Sequence, residues 1–269
     1  MKYEGNIIKM RSEQLIPVNY YLPVGGGELH LNPLIGKEIS MKFTGQINCI
    51  ACGKKTKRSF SQGFCFRCLQ NAPEAAESVI RPELSKSHFG IARDMVWAQI
   101  NDLSDHYVYL AVACELKVGV TRHQQIPERW IDQGASFAIK LAHTPNRHIA
   151  GVIELFLKKY LTDRTNWQGM LKSCGNADFD LQEEKRKALN LLPAELRKYS
   201  CSDNTVTTIE YPISDYPLAI KSLTFDKSAL VQGVLQGIKG QYLIFADHTV
   251  INIRKHSGYY VQIEYHDVI

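Results

Sequence analysis

Between residues 39 and 43 the chain reads Ile-Ser-Met-Lys-Phe, apolar and polar in turn. A period of two is the mark of a strand with one buried face. The whole of residues 1–48 reads as β, with Ile16-Pro-Val-Asn-Tyr-Tyr-Leu-Pro extended and broken by prolines and Gly25-Gly-Gly a turn. Two further β-rich runs, His106-Tyr-Val-Tyr-Leu-Ala-Val-Ala and Leu116-Lys-Val-Gly-Val-Thr, are separated by a short turn and predict a hairpin. The period then changes. Ile149, Val152, Ile153, Phe156, Leu157 and Tyr160 recur at helical spacing and predict one apolar stripe on a helix over 147–161. Short helices are predicted after Pro73 and Pro127, the second closed by Gly134. Another begins near Leu181, with Asp180 as N-cap and Glu183 completing a capping box, and is interrupted at Pro193. From about Leu223 the pattern returns to short strands, Tyr242-Leu-Ile-Phe, Val250-Ile-Asn-Ile-Arg and Tyr259-Tyr-Val-Gln-Ile, joined by turns at Asp247-His248 and Ser257-Gly258.

These changes of pattern divide the chain into an N-terminal β segment (1–48), a cysteine segment (49–72), a connector (73–105), an α/β core (106–180), a helical connector (181–222) and a C-terminal β segment (223–269). The class is α+β. The two terminal β segments are expected to form one small barrel that brackets the middle.

The composition is that of an ordinary globular protein, 45% apolar and 22% charged. No apolar run is long enough to span a bilayer, and the opening residues lack a signal-peptide core, so a cytoplasmic protein without a membrane partner is expected. The net charge of +5 permits an anionic partner without demanding one.

The cysteines change the picture more. Cys49-x-x-Cys52 and Cys65-x-x-Cys68 form two pairs twelve residues apart. Thiolates suit zinc, and two residues between paired cysteines let both sulfurs reach one ion. A structural zinc on Cys49, Cys52, Cys65 and Cys68 is predicted, with Gly53 allowing a left-handed turn in the knuckle. The fold of this finger reads as a treble clef if a helix follows the second pair and as a ribbon if a hairpin does. Between the pairs stand Lys54, Lys55, Lys57, Arg58 and Phe60. Cations neutralise phosphates and an exposed ring stacks on a base, which makes these five a candidate nucleic-acid contact. A solvated hairpin tip, with Phe60 covering the metal, is the equally weighted alternative. The remaining cysteines, Cys114, Cys174 and Cys201, have no partner at metal spacing and read as small buried or half-buried residues. His143, His148 and His248 are too isolated to be ligands.

Several runs resemble a bacterial family catalogued as domain of unknown function 2797. They include Leu22-Pro-Val-Gly-Gly-Gly, Asn32-Pro-Leu-Ile-Gly-Lys, Cys49-Ile-Ala-Cys-Gly, Ser61-Gln-Gly-Phe-Cys-Phe-Arg-Cys, Ile126-Pro-Glu-Arg-Trp-Ile-Asp-Gln-Gly-Ala and Gly237-Ile-Lys-Gly-Gln-Tyr-Leu. The resemblance spans nearly the whole chain and implies no established activity. The sequence departs from the family around Ser85 to Arg93, where His88 stands without the family's further cysteines, so a second metal site is not expected.

The middle of the chain also resembles the GIY-YIG nuclease domain. Tyr107-Val-Tyr109 takes the place of the first motif and Lys117-Val-Gly119 that of the second; Arg129 falls on the first helix, Glu154 on the strong helix, and Asn166 after it. The resemblance implies a phosphodiesterase site of Tyr109, Lys117, Arg129 and Glu154. In it Tyr109 acts as base, Arg129 clamps phosphate, and Glu154 holds Mg²⁺ or Mn²⁺. Lys117 replaces the second tyrosine. Protonated, it is a donor without an acceptor, which speaks against full catalysis. The plain alternatives are a core tyrosine, an Arg129–Glu154 ion pair between helices, and Trp130 and Trp167 as packing residues. Three functions follow in order: a zinc-containing nucleic-acid-binding protein with little or no catalysis, a metal-dependent nuclease, and an adaptor for another protein. The sequence does not choose between DNA and RNA.

Overall fold

The computed structural model describes residues 2–172 and 179–266. The chain divides into two units. One gathers Met1–Gln70, Leu171–Ser173 and Glu210–Ile269; the other gathers Asn71–Met170 and Cys174–Ile209.

In the first unit the two ends of the chain share one eight-stranded sheet. Its order is Lys2–Asn6, Tyr259–His266, Glu38–Asn48, Leu230–Lys239, Tyr242–Phe245, Thr249–Asn252 and Lys221–Leu223, with Lys55–Thr56 paired to Glu38–Asn48 off this path. All pairings are antiparallel except the last, of Lys221–Leu223 with Thr249–Asn252. The alternation read at 39–43 is real: Ile39 and Met41 are buried, and Ser40 and Lys42 are not. The expected closed barrel does not form. The sheet is open, because its first and last strands pair on one side only. Arg11–Glu13, Asn19–Val24 and Gly27–His30 make a separate three-stranded meander that buries Tyr20, Leu22 and Val24.

In the second unit a four-stranded antiparallel sheet runs in the order Thr207–Thr208, Phe137–Thr144, His106–Val112 and Leu116–Arg122. The last two strands are the predicted hairpin. The strand Phe137–Thr144 was not anticipated, since Phe-Ala-Ile-Lys-Leu-Ala-His-Thr lacks a clean period of two. Helices Arg147–Leu157 and Leu181–Leu191 supply Ala150, Ile153, Leu157, Leu181 and Ala188 to a core shared with Val108, Leu110, Val118, Ile139 and Leu141. Both helices are capped. Asn146 accepts from the Ile149 N–H, and Asp180 accepts from the Gln182 and Glu183 N–H groups. The Glu183 carboxylate pairs with Arg186 instead of closing a capping box.

The helix over 147–157 is rotated from the expected stripe. Ala150, Gly151, Ile153, Glu154 and Leu157 are buried, whereas Tyr160 lies beyond the helix and is 56% exposed. The cause is Gly151. A Cβ there would strike the backbone of Pro82 and Glu83, so the bare glycine lets the 3₁₀ turn Pro82–Leu84 seat directly on the helix. A second constraint fixes the helix start. Arg147 Nε donates to Asp102 Oδ1 at 2.6 Å, and the Ser87 hydroxyl donates to Asp102 Oδ2 at 2.7 Å. The pair is almost wholly buried, and removing either partner would strand a charge, at a cost of about 3–5 kcal/mol.

His106 lies beside this network, 1% exposed, with its Nδ1 against the Ser104 carbonyl at 2.7 Å. Burial, aided by the nearby Arg147 and Arg122 charges, lowers its pKa to about 4. The unfolded chain binds the proton near pH 6.5. Stability contributed by neutral His106 is therefore full above that pH and is lost as the pH falls towards 4. Urea midpoints should drop across this window, and His106→Phe, which takes no proton, should flatten the drop. An unflattened profile would show that His106 does not titrate as its burial requires.

Candidate functional site

The cysteine segment forms a compact four-sulfur cluster. Cys49, Cys52, Cys65 and Cys68 place their Sγ atoms all within 4.8 Å of one another, and Cys52 and Cys65 are 3.9 Å apart. Four sulfurs about 2.3 Å from a tetrahedral zinc stand about 3.8 Å from one another, so the donor set fits that ion. The local backbone builds it. The Gly53 N–H donates to the Cys49 carbonyl at 2.8 Å, with Gly53 at φ +69°, and the Cys68 N–H points to Cys65 Sγ at 3.5 Å. Lys55–Thr56 pairs back onto Asn48 and Ile47, and the helix Phe66–Asn71 starts at the second pair. The expected hairpin between the pairs is replaced by this strand, and a helix follows the second pair.

The sulfurs also want a cation. Burial raises the Cys49 thiol, but N–H groups of Cys65, Cys52 and Ala51 outweigh it and bring the pKa down to about 6. Cys68, hydrogen-bonded to Cys65 and partly desolvated, is pushed up to about 12. Negative charge on one sulfur thus opposes it on the next, and a bound divalent ion would remove the opposition.

Lys54, Lys55, Lys57 and Arg58 are all exposed on this segment. Phe60 is not the exposed ring. It is half-buried, with its ring centroid 5.8 Å from that of Phe66, and Phe66 is the one 58% exposed. Phe66 follows Cys65 at the helix start, where a small finger has no core to hide it.

In the second unit the hairpin register places Tyr109 opposite Gly119. Paired residues share a face, and so does Lys117, two positions on. The Tyr109 ring fills the space over Gly119, where a Cβ would come within 2.6 Å of its hydroxyl. That hydroxyl donates to Gln133 Oε1 at 2.6 Å. Burial holds the phenol above its ordinary pKa; the Arg129 charge pulls it down and Glu154 pushes it up. Lys117, 2% exposed, donates from Nζ to Thr165 Oγ1 at 2.6 Å. Burial, and then the Arg129 charge, lower its pKa to about 7. Tyr109 thus lies within electrostatic reach of Arg129 and Glu154, and Lys117 within that of Arg129.

Glu154 is 8% exposed, and burial raises its pKa against the pull of Lys158. The expected Arg129–Glu154 ion pair is absent among the described residues. Glu154 Oε2 instead meets Lys158 Nζ at 3.4 Å, and the same ammonium reaches Asp163 at 3.0 Å. Lys158 was legible as the residue one turn after Glu154, and Gln133 likewise after Arg129. Thr165 and Asp163 carry no such signal, because they lie on the irregular segment that follows the helix. Asn166 caps the helix Trp167–Leu171 through the Gly169 N–H at 3.1 Å. Trp130 is buried at the edge of the Tyr109 ring, a packing role.

The other cysteines differ from expectation in one place. Cys201 is a half-buried free thiol, Cys114 is disulfide-bonded, and Cys174 lies outside the described residues. His143 stacks on Tyr107 and pairs with Asp105, and His148 holds the Glu83 carbonyl, so both have structural partners. Among the described residues no helix is long and apolar enough to cross a membrane.

Comparison with known families matches residues 36–261 to a family described as "Protein of unknown function (DUF2797)". The chain belongs to this family. The matched region includes both the four-cysteine cluster and the hairpin of the second unit. No curated protein and no solved structure matches the chain.

If zinc holds the finger together, Cys65→Ser should lower zinc content and open residues 49–70 to proteolysis while the C-terminal strands stay protected. Metal analysis with limited proteolysis reads both effects. Full zinc content in this variant would remove Cys65 from the ligand set.

Proposed function

We propose that this member of the DUF2797 family is a zinc-holding nucleic-acid-binding protein. In this reading residues 106–180 form a GIY-YIG-like domain that grips phosphate with little or no catalysis. The observation that carries it is the distribution of charge around Glu154. Lys158 pairs with both Glu154 and Asp163, while Lys117 and Arg129 have no carboxylate paired to them among the described residues, so these groups set three cations against two carboxylates. The surplus is cationic and suits a phosphate. Mg²⁺ or Mn²⁺ at Glu154 would have to displace Lys158 and meet a carboxylate whose charged form burial disfavours. The exposed Lys54, Lys55, Lys57, Arg58 and Phe66 of the finger support a further contact, with cations for phosphates and a ring for a base.

One observation favours the nuclease as a second reading. At a pKa of about 7, Lys117 is partly neutral at physiological pH and able to accept a proton from water.

Replacing Lys54, Lys55, Lys57 and Arg58 with Gln should weaken binding to labelled DNA or RNA and reduce the slope of log affinity against log salt by up to about 3–4. The melting temperature should barely move, because exposed charges contribute little. An unchanged slope returns the hairpin to a solvated tip.

Catalysis is tested by incubating wild type and Glu154→Gln with structured and single-stranded DNA and RNA plus Mg²⁺ or Mn²⁺. The expected result is binding by both and cleavage by neither. Cleavage by the wild type that disappears in Glu154→Gln would establish the nuclease instead.

A further inference from the structure

The run Gly237-Ile-Lys-Gly-Gln-Tyr-Leu ends one strand of the large sheet and starts the next. Two of its polar side chains are buried and behave differently. Gln241, 2% exposed, is engaged by the fold: it accepts from the Met10 N–H at 2.7 Å and donates to the Met10 carbonyl at 3.0 Å. Lys239 is 3% exposed, yet no carboxylate and no hydrogen-bond acceptor meets its ammonium among the described residues. Its Nζ lies 5.2 Å from the Tyr211 ring centroid and 5.5 Å from that of Tyr216.

The two tyrosines are held there by a strap. The Ile238 N–H donates to the Pro212 carbonyl at 3.0 Å, the Ser214 N–H to the Gln236 carbonyl at 3.0 Å, and the Ser214 hydroxyl to the same carbonyl at 2.8 Å. Ile213 bridges Gly237 antiparallel, and a Cβ on Gly237 would come within 2.9 Å of the Ile213 Cα. Any larger residue would lift the strap and take both rings off the lysine. Pro212 and Pro217, which follow the two tyrosines, are buried, whereas the rings are half-buried and keep surface for a ligand.

An ammonium on a buried stem with no counter-charge is poorly solvated, and burial alone lowers the Lys239 pKa to about 8. Methionine would fill the same volume without that penalty. Two ring faces offset part of it. A group kept at a cost to stability points to a ligand that completes it. What is missing is an anion for the ammonium, and what is offered beside it is aromatic surface.

We propose that Lys239, Tyr211 and Tyr216 form a subsite for one nucleotide of a single strand, with the ammonium on its phosphate and a tyrosine ring against its base. This rests on the nucleic-acid reading above and adds a second point of contact, apart from the finger. The contact is sequence-tolerant, because every base presents a ring face.

The test uses the full-length protein and fluorescence anisotropy with a labelled oligothymidylate and with an abasic strand of the same length. Lys239→Met should weaken oligothymidylate binding about tenfold and leave the melting temperature equal or higher. Tyr216→Leu should weaken oligothymidylate binding and leave the abasic strand unaffected. Wild-type affinity in Lys239→Met would overturn the subsite, and so would equal losses on both strands in Tyr216→Leu. The Gln-substituted finger variant separates the two ideas. Binding that depends on the finger and not on Lys239 removes only the subsite, while a wild type that binds neither strand removes the subsite and the nucleic-acid reading together. If Lys239→Met fails to fold, the wild-type Lys239 side-chain NMR signal decides. It should shift on adding oligothymidylate, and a stationary signal would overturn the subsite.

Discussion

Tyr109 stands opposite Gly119 across the hairpin, and the candidate site of the second unit depends on that register. A slip of one residue would turn Tyr109 and Lys117 to the other face and send Val108 and Val118 out of the core. The register is held from both sides. Val108, Leu110 and Val118 are wholly buried against the helices, and the Tyr109 ring fits only over a residue without a Cβ. Arg129 and Gln133 come from one short helix and its C-cap and Glu154 from another helix, yet each acts on the hydroxyl that this register positions.

Much of this was legible in the sequence because it is local. The hairpin, the capped helices and the cysteine knuckles each declare themselves within a dozen residues, through period, cap or spacing. The choice of the four candidate residues rests on order along the chain and resemblance. What the sequence hid was set by distant contacts. A helical wheel places Glu154 only beside the apolar stripe, near Ala150 and Leu157, and its burial is completed by Gly151 meeting the turn at Pro82–Leu84. The open sheet was misread as a barrel because period two reports which face is buried, not whether the last strand returns to the first. Phe60 and Phe66 both lie on the cysteine segment, and only their packing decides which one faces solvent.

Buried charge is treated in two ways in this protein. Asp102 and Arg147 neutralise each other and are hydrogen-bonded on several sides, which ties a helix start to the segment before the sheet. Lys117 and Lys239 are given only a threonine hydroxyl or tyrosine rings. Low polarity strengthens any charge placed inside it, so an anion placed at either amine would be held more strongly than at a surface lysine. The same surroundings bring their pKa values down to about 7 and about 8, close to the pH at which the protein would meet an anion. A phosphate bound at either amine would raise that amine's pKa, and the amine would take up a proton as it binds.

The large sheet draws its neighbouring strands from opposite ends of the sequence. The Thr44 hydroxyl donates to the Tyr260 carbonyl across 216 residues. During synthesis the strand Glu38–Asn48 leaves the ribosome with neither sheet neighbour, Leu230–Lys239 or Tyr259–His266, yet made. The finger grows directly out of that waiting strand, and four nearby sulfurs can be locked by a metal long before the sheet can close. Metal capture on the nascent chain would then pin the end of the strand at Asn48, leaving a shorter exposed edge for other chains to pair with until the last strands arrive.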